Sequence, residues 1–567
     1  MSVRFLLIAA SLLTLGGCVV SPPTPAPSVV IPPAEPQETT YAPFDSRTLE
    51  ALLLSEFAGH RQRADVALAG YLQQAVATRD PGVVARATTI AHFLNQPQVL
   101  DLSRLWTEVE PDSSEAWYLL ALGSLKQQKY DRLIPALDRL LDLQPDADLE
   151  QMFLSAIPTT PSGQDALLKA LGAVERKHAD SPHILFARAL VQTQSGQTEP
   201  ALATVRKARE LKPRSTQATL LEAKLLTDLG HNADAAKLLA TAVKARPDSQ
   251  SLRLNYARSL VRIRDMKGAE REFGTLVDKN PGDDSLRLGL ALIAFENRND
   301  VVARSELEIL TDSDEHADEA YLYLGKLAQR QGRADDAIAA YENVPPGQHF
   351  LAAMAETSNL LVQLKRPEDA ARRLADARAR HPEQRIALYQ LEAELLSERK
   401  AHDQARQLLN EALQLFPGNT ALLLSRSLVA ERLNDLDQFE RDVREVLRLE
   451  PENASALNAL GYTLLERTNR IDEADTYIRR AHELRPNDPA ILDSLGWLRF
   501  KKGDPQGALK DLRRAYALFA DDEIAAHLGE VLWVLGQKDE ARRVWDEALR
   551  QHPASDYIPR TRMRLDP

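Results

Sequence analysis

The chain has 567 residues, with 70 Lys and Arg against 82 Asp and Glu, and a formal charge of −12 at pH 7. This length exceeds the roughly 250–300 residues that one compact core usually holds, so it predicts several domains or a repeating array. The negative charge argues against nucleic-acid binding, which needs a concentrated basic face, and the single cysteine excludes an intrachain disulfide or a thiolate metal cluster. Aromatic residues are only 5% of a chain rich in Ala, Leu, Arg and Glu, which predicts helices and few strands.

Residues 1–17 have the pattern of an export signal. Arg4 precedes an apolar run at residues 5–15, and two glycines follow it. A helix that spans a bilayer needs about 20 apolar residues, so the run is too short for a membrane anchor.

The tetrad Leu-Gly-Gly-Cys at residues 15–18 resembles the bacterial lipoprotein signal. The resemblance implies that Cys18 is lipidated and becomes the mature N-terminus, which anchors the protein to a membrane that it does not span. Val19 stands where similar lipoproteins of the inner membrane carry aspartate, so the resemblance implies the outer membrane, facing the periplasm. The alternative is an incidental cysteine in an ordinary signal peptide.

Residues 18–45 form the next segment, which combines the lipidated cysteine with a proline-rich stretch. Its prolines are Pro22, Pro23, Pro25, Pro27, Pro32, Pro33, Pro36 and Pro43. Proline fixes φ and lacks an N–H, so we expect an extended tether that reaches at most about 3.1 Å per residue. A proline-rich ligand for a groove-type domain is the alternative.

A period of 34 residues fills the rest of the chain. Prolines that follow apolar helical runs are separated by nearly exact multiples of this number, to within one residue: Pro111, Pro145, Pro213, Pro247, Pro281, Pro382, Pro417, Pro451, Pro486 and Pro553. Small residues recur at two places in each unit, for example at Ala257 and Ala269, which predicts two helices that cross closely. Residues 46–553 have room for up to fifteen such units, of which about eleven are well defined.

These features resemble the tetratricopeptide repeat, a helix-turn-helix unit of 34 residues. The clearest matches are Leu457, Leu460, Gly461, Leu464, Ala474, Ile478, Ala481 and Pro486. The resemblance implies an all-α solenoid, a right-handed superhelix of helical hairpins that bury their apolar faces only by stacking.

The repeat pattern divides the body of the chain into three parts. Residues 46–179 hold degenerate repeats, which are least regular after Pro145, where Pro158 and Pro161 interrupt the pattern. Residues 180–553 hold the main array. Residues 554–567 form a tail or cap, whose three arginines we expect to stay in water: Arg560, Arg562 and Arg564.

The sequence lacks the common catalytic motifs. It contains no His-Glu-x-x-His string, no phosphate-binding loop ending in Gly-Lys-Ser/Thr and no Gly-x-Ser-x-Gly turn. We therefore predict a protein that is not an enzyme and has no cofactor and no metal site. Catalytic carboxylates such as Asp335 and Asp336 are the alternative, although both lie where a helix should begin.

Two sets of residues are candidate partner-binding sites. In proteins of the family that this chain resembles, the first helix of each repeat lines the inner face of the superhelix, and both sets lie on first helices. One is a basic strip made of Lys224, Arg258, Arg262, Lys326 and Arg330. Like charges at i,i+4 repel each other unless an anion lies between them, so the strip predicts a seat for acidic side chains or a peptide carboxylate. The alternative is a solvated face compensated by acids such as Asp228 and Glu272.

The other candidate set lies on first helices near the C-terminus and comprises Asn458, Tyr462, Asp493 and Trp497, with Trp533 at a comparable position. Aromatic residues with polar neighbours are typical of a peptide-binding hot spot. Core packing between repeats is the alternative.

The order of lipid signal, tether and long repeat array resembles a group of tetratricopeptide lipoproteins that bind a periplasmic carboxyl-terminal processing protease. The resemblance implies a non-catalytic adaptor of the outer membrane that brings substrates such as peptidoglycan hydrolases to the protease. A scaffold lipoprotein of an exopolysaccharide-export or other cell-envelope assembly is the alternative.

Overall fold

Helices account for most of residues 44–565, the part of the chain that the computed structural model describes, and no strand occurs in that part. This confirms the predicted all-α fold. The described residues form two compact units, which divide after Gly230. The predicted boundary between residues 179 and 180 is a boundary of repeat regularity and stays a prediction.

The first unit consists of four helical hairpins and three further helices. Its helices are α1 (Ser46–His60), α2 (Ala64–Thr78), α3 (Pro81–Phe93), α4 (Val99–Val109), α5 (Ser114–Lys126), α6 (Tyr130–Leu143), α7 (Glu150–Ser155), α8 (Pro161–Glu175), α9 (Pro182–Gln194), α10 (Thr198–Leu211) and α11 (Thr216–Asp228).

The second unit begins with one helix, continues with nine hairpins and ends with a single short helix. Its helices are α12 (Asn232–Ala245), α13 (Gln250–Arg262), α14 (Met266–Lys279), α15 (Asp284–Glu296), α16 (Asp300–Leu310), α17 (Ala317–Arg330), α18 (Ala334–Glu342), α19 (Phe350–Gln363), α20 (Pro367–Arg380), α21 (Arg385–Glu398), α22 (His402–Leu415), α23 (Thr420–Arg432), α24 (Leu436–Leu449), α25 (Ala454–Arg467), α26 (Ile471–Leu484), α27 (Pro489–Lys501), α28 (Pro505–Leu518), α29 (Asp522–Val534), α30 (Lys538–Gln551) and α31 (Tyr557–Leu565). A 3-10 turn at Pro382–Gln384 precedes α21.

Short polar residues cap many of the helices. The Asp45 carboxylate accepts a hydrogen bond from the Thr48 N–H at 2.7 Å, and the Asn419 side chain accepts one from the Leu422 N–H at 3.0 Å. Each cap satisfies a backbone donor that has no partner within the helix, which fixes where the helix begins.

A residue with positive φ follows the first helix of most hairpins. These residues recur at separations of 33–35 residues or about twice that: Gln62, Asn95, Gln128, Gly196, Gly230, Arg264, Arg298, Gly332, Lys365, Lys400, Asn434, Gly503 and Gly536. The left-handed backbone ends a helix and lets the chain reverse, so the structure has the 34-residue period at the turns as well as at the prolines.

Glycines in first helices lie where the two helices of a hairpin cross. A Cβ added at Gly461 would overlap Ile478, one at Gly496 would overlap Leu512, and one at Gly529 would overlap the indole of Trp545. The predicted close crossing of helices at small residues is therefore confirmed at these hairpins.

The least regular part of the first unit lies after α6, as the prolines predict. Helix α7 has only 6 residues, and Pro161 opens α8 after a non-helical stretch that contains Pro158. A proline at the first helical position is compatible with the helix because its missing N–H would have no partner there.

The C-terminal helix α31 packs against α29 and buries Ile558. Two of its three arginines are exposed, as expected, and Arg562 is half-buried. Arg564 forms an ion pair with Glu530, and Arg562 lies 2.7 Å from the Asp546 carboxylate, because acids of the preceding helices face this helix.

A search of residues 44–565 for a membrane-spanning helix, which must be both long and apolar, finds none.

Candidate partner-binding surface

The predicted basic strip separates into paired and unpaired residues. Lys224, in the first unit, forms an i,i+4 ion pair with Asp228 at 2.8 Å, as the compensated alternative expected. In the second unit, the Lys326 ammonium lies 4.5 Å from the centre of the Tyr323 ring.

Arg330 is also held by its neighbours. It forms an ion pair with Asp300, donates a 2.8 Å hydrogen bond to the Phe295 carbonyl and stacks 4.0 Å above the Phe295 ring. Its charge therefore belongs to the packing between neighbouring helices.

Arg258 and Arg262 lie one turn apart on α13, and both are exposed. Within residues 44–565, neither guanidinium has an ion-pair or hydrogen-bond partner. Partial burial, and secondly the charge of Arg262, lower the pKa of Arg258 below its ordinary value. Glu272, which the compensated alternative assigned to this strip, instead binds Arg253 at 2.5 Å. Two cations thus face solvent without compensation, as a seat for an anionic partner requires.

Near the C-terminus, the side chains predicted as a hot spot join a largely buried polar cluster between α25, α27 and α29. Both carboxylate oxygens of Asp493 lie 3.0 Å from Nδ1 of His527, whose ring stacks on Trp497 at 4.1 Å. The Tyr462 hydroxyl donates a 2.6 Å hydrogen bond to Glu523. The Trp497 indole donates to Glu466, which also lies 3.1 Å from the Lys501 ammonium.

The burial of this cluster limits which of the predicted residues a partner is able to touch. Trp497 and Asp493 are only 3% and 5% exposed, which fits the packing alternative in this conformation. Tyr462 and Asn458 are half-buried. The Oδ1 atom of Asn458 is buried and has no hydrogen-bond partner among the described residues.

The electrostatics of the cluster favour the charged form of the histidine. Burial lowers the pKa of His527, but the charge of Asp493 and its hydrogen bond outweigh this effect, so the net pKa is raised. Burial raises the pKa of Glu523, and burial together with the charge of Glu523 raises that of Tyr462. The arrangement thus favours an imidazolium between a carboxylate and an indole face.

The sequence reasoning missed His527, Glu523 and Glu466 as members of this cluster. A signal for His527 was present, because it follows Asp493 by one repeat length of 34 residues and Asn458 precedes Asp493 by 35. Equivalent positions on neighbouring first helices lie side by side in a repeat array, so register identifies such contacts. The predicted lipidation site, Cys18, lies outside the described residues.

The stacked hairpins and the 34-residue period define the class of protein. The chain belongs to the tetratricopeptide repeat family, which matches residues 104–300 and 287–554. The family indicates a scaffold for protein–protein interaction.

Among known proteins, the TPR repeat-containing protein PA4667 of Pseudomonas aeruginosa is 39% identical over 526 residues, which is 91% of this chain and 89% of that protein. The solved structure of YrrB, a TPR protein with an unusual peptide-binding site, is 17% identical and covers 31% of this chain and 91% of its own, with a TM-score of 0.29. Yeast Tom70 is 14% identical and covers 92% of this chain and 99% of its own, with a TM-score of 0.31. These two structural likenesses are too weak to carry an argument about function.

Proposed function

We propose that the protein is a non-catalytic adaptor lipoprotein of the outer membrane, which binds a periplasmic carboxyl-terminal processing protease and brings substrates such as peptidoglycan hydrolases to it. Membership of a protein-interaction repeat family supports the adaptor role. The lipoprotein-like tetrad that ends at Cys18 supports the anchor, and the resemblance in overall layout supports the choice of partner.

The observation that carries the binding role is the pair formed by Arg258 and Arg262. Arg253, Arg287 and Arg330, on the same or neighbouring first helices, form ion pairs with acids. The side chains of Arg258 and Arg262 instead are exposed one turn apart, with no such partner in the described part of the chain. Such a pair accepts a carboxylate, which relieves the repulsion between the two guanidinium groups and forms charge-assisted hydrogen bonds.

In this mechanism the array contributes position only. One surface holds the protease and another holds its substrate, so the second binding event takes place at the effective concentration set by a shared body. Lipidated Cys18 would confine both proteins to the inner surface of the outer membrane, within reach of the cell wall.

Charge reversal tests the role of the arginine pair. We expect R258E/R262E to weaken binding to the purified protease by at least about 100-fold, because two charge-assisted contacts are lost and each contributes about 1.5–3 kcal/mol. The matched control is K267E/R271E, which reverses two exposed cations at the same spacing on α14, the second helix of the same hairpin. Equal weakening by both variants, measured by surface plasmon resonance, would remove the pair from the proposed binding site.

The identity of the partner and the anchor have separate tests. Crosslinking and affinity purification of the membrane-anchored protein should recover the protease and cell-wall hydrolases; recovery of an outer-membrane barrel and polysaccharide enzymes instead would favour the export scaffold. Purified protein alone should leave peptidoglycan intact in a zymogram.

Cys18→Ser should release the protein from membranes without changing its helical circular dichroism spectrum.

A further inference from the structure

Three side chains of metal-binding type meet in the irregular part of the first unit. One carboxylate oxygen each of Asp148 and Glu150 and a ring nitrogen of His183 lie within 4.8 Å of one another. Asp148 and Glu150 flank the start of α7, and His183 lies in the first turn of α9. The three residues thus connect the short inserted helix to the hairpin that follows it.

His183 has a nitrogen whose hydrogen-bonding capacity is unused. The side chain is only 2% exposed, and its Nδ1 has no hydrogen-bond partner in the described part of the chain. Buried polar atoms usually have a partner, so an unpartnered nitrogen on a residue of this cluster calls for an explanation.

A cation already stands at this position. The Lys212 ammonium lies 3.8 Å from a Glu150 oxygen and 3.5 Å from Nε2 of His183, both longer than a strong hydrogen bond. The lysine side chain is 38% exposed, so solvent is open to it when it leaves. Ser215 donates a 2.7 Å hydrogen bond to Glu150 and holds that carboxylate in place.

We propose that Asp148, Glu150 and His183 bind a divalent transition-metal ion, with Zn²⁺ as the best match, in exchange for the Lys212 ammonium. One imidazole and two carboxylates form a mixed nitrogen and oxygen donor set, whereas Mg²⁺ and Ca²⁺ take oxygen ligands. Three protein ligands and one water complete a tetrahedral zinc site. The bound ion ties α7, which has only 6 residues, to α9. This site is independent of the proposed adaptor function.

Isothermal titration of the mature chain with zinc chloride, after removal of metal by a chelator, tests the site. We expect one tight site per chain, no response to magnesium chloride, and affinity reduced at least tenfold in both His183→Gln and Glu150→Gln. Glutamine at position 150 keeps an acceptor for Ser215, so this variant retains the local hydrogen bond. Circular dichroism spectra identical to wild type establish that both variants fold.

Lys212→Gln provides the result that a surface histidine binding zinc by chance would not give. Removing a positive charge next to the ligands should tighten zinc binding by about tenfold, since a like charge at this range shifts such equilibria by about one pK unit. Absence of zinc uptake by both wild type and Lys212→Gln, uptake that His183→Gln leaves unchanged, or equal affinity of wild type and Lys212→Gln would each overturn the proposal.

Discussion

Replacement of Asp493 by asparagine removes the counter-ion of His527 while preserving the volume of the side chain. In the wild type, both Asp493 oxygens lie 3.0 Å from Nδ1 of a histidine that is only 8% exposed. A hydrogen bond between charged groups contributes about 1.5–3 kcal/mol. We therefore expect Asp493→Asn to lower the free energy of local opening of α29 by about 2 kcal/mol at pH 6.

The same loss should shrink as the pH rises. The pKa of His527 is raised in the folded protein above the ordinary histidine value of about 6.5, so the stabilisation is fully present below pH 6.5 and disappears as the pH rises through the raised value. Glu466, Glu523 and Glu530 also interact electrostatically with this histidine, but they are present in both proteins and their own titration largely cancels in the comparison.

Hydrogen–deuterium exchange of peptides that cover Asp522–Val534, corrected for the intrinsic exchange rate and measured at pH 6 and pH 9, gives this free energy directly. Asp472→Asn is the control, because the Asp472 side chain is fully exposed. A loss of equal size at both pH values, or no loss at pH 6, would refute a charged His527 held by Asp493.

Two further substitutions test the packing and charge of the second unit. Gly529→Ala places a methyl group on the Trp545 indole and should destabilise the protein by about 1–3 kcal/mol. Gly172→Ala is the control: no atom lies within 4 Å of the added Cβ, so this change should be neutral or stabilising. Urea unfolding followed by circular dichroism compares the two variants, and equal unfolding midpoints would contradict the close crossing. Arg564→Ala leaves the buried Glu530 carboxylate without its ion pair and should cost about 1.5–3 kcal/mol at pH 8. Because burial raises the pKa of Glu530, this carboxyl takes up a proton as the pH falls, so the loss in thermal stability should be smaller at pH 5.

The repeat period made most of the fold predictable from sequence. Prolines after second helices and small residues at crossings are local requirements of a helical hairpin, and they mark the units wherever they occur. Gly461, for example, was predicted as a crossing point from spacing alone, and it faces Ile478 too closely for a side chain.

The candidate sites were less predictable because they depend on which residues of different helices meet. Spacing along one helix suggested that Lys326 and Arg330 repel each other, but Arg330 is paired with Asp300, 30 residues earlier in the chain. Likewise, His527 and Asp493 are 34 residues apart, and the sequence gives no sign of their contact until the repeats are placed in register. Pairing across repeats is a property of the stack, which a reading of single helices does not capture.

The left-handed residues at the hairpin turns have a consequence for engineering. Eight of them are not glycine, and each non-glycine residue at positive φ carries a steric strain that glycine avoids. Substituting glycine at Arg264, Arg298, Lys365 or Lys400 should relieve up to about 1 kcal/mol per turn. Because each hairpin packs mainly on its immediate neighbours, such increments accumulate along the chain. The stability of this protein is therefore adjustable one turn at a time, through residues that belong to neither candidate binding set.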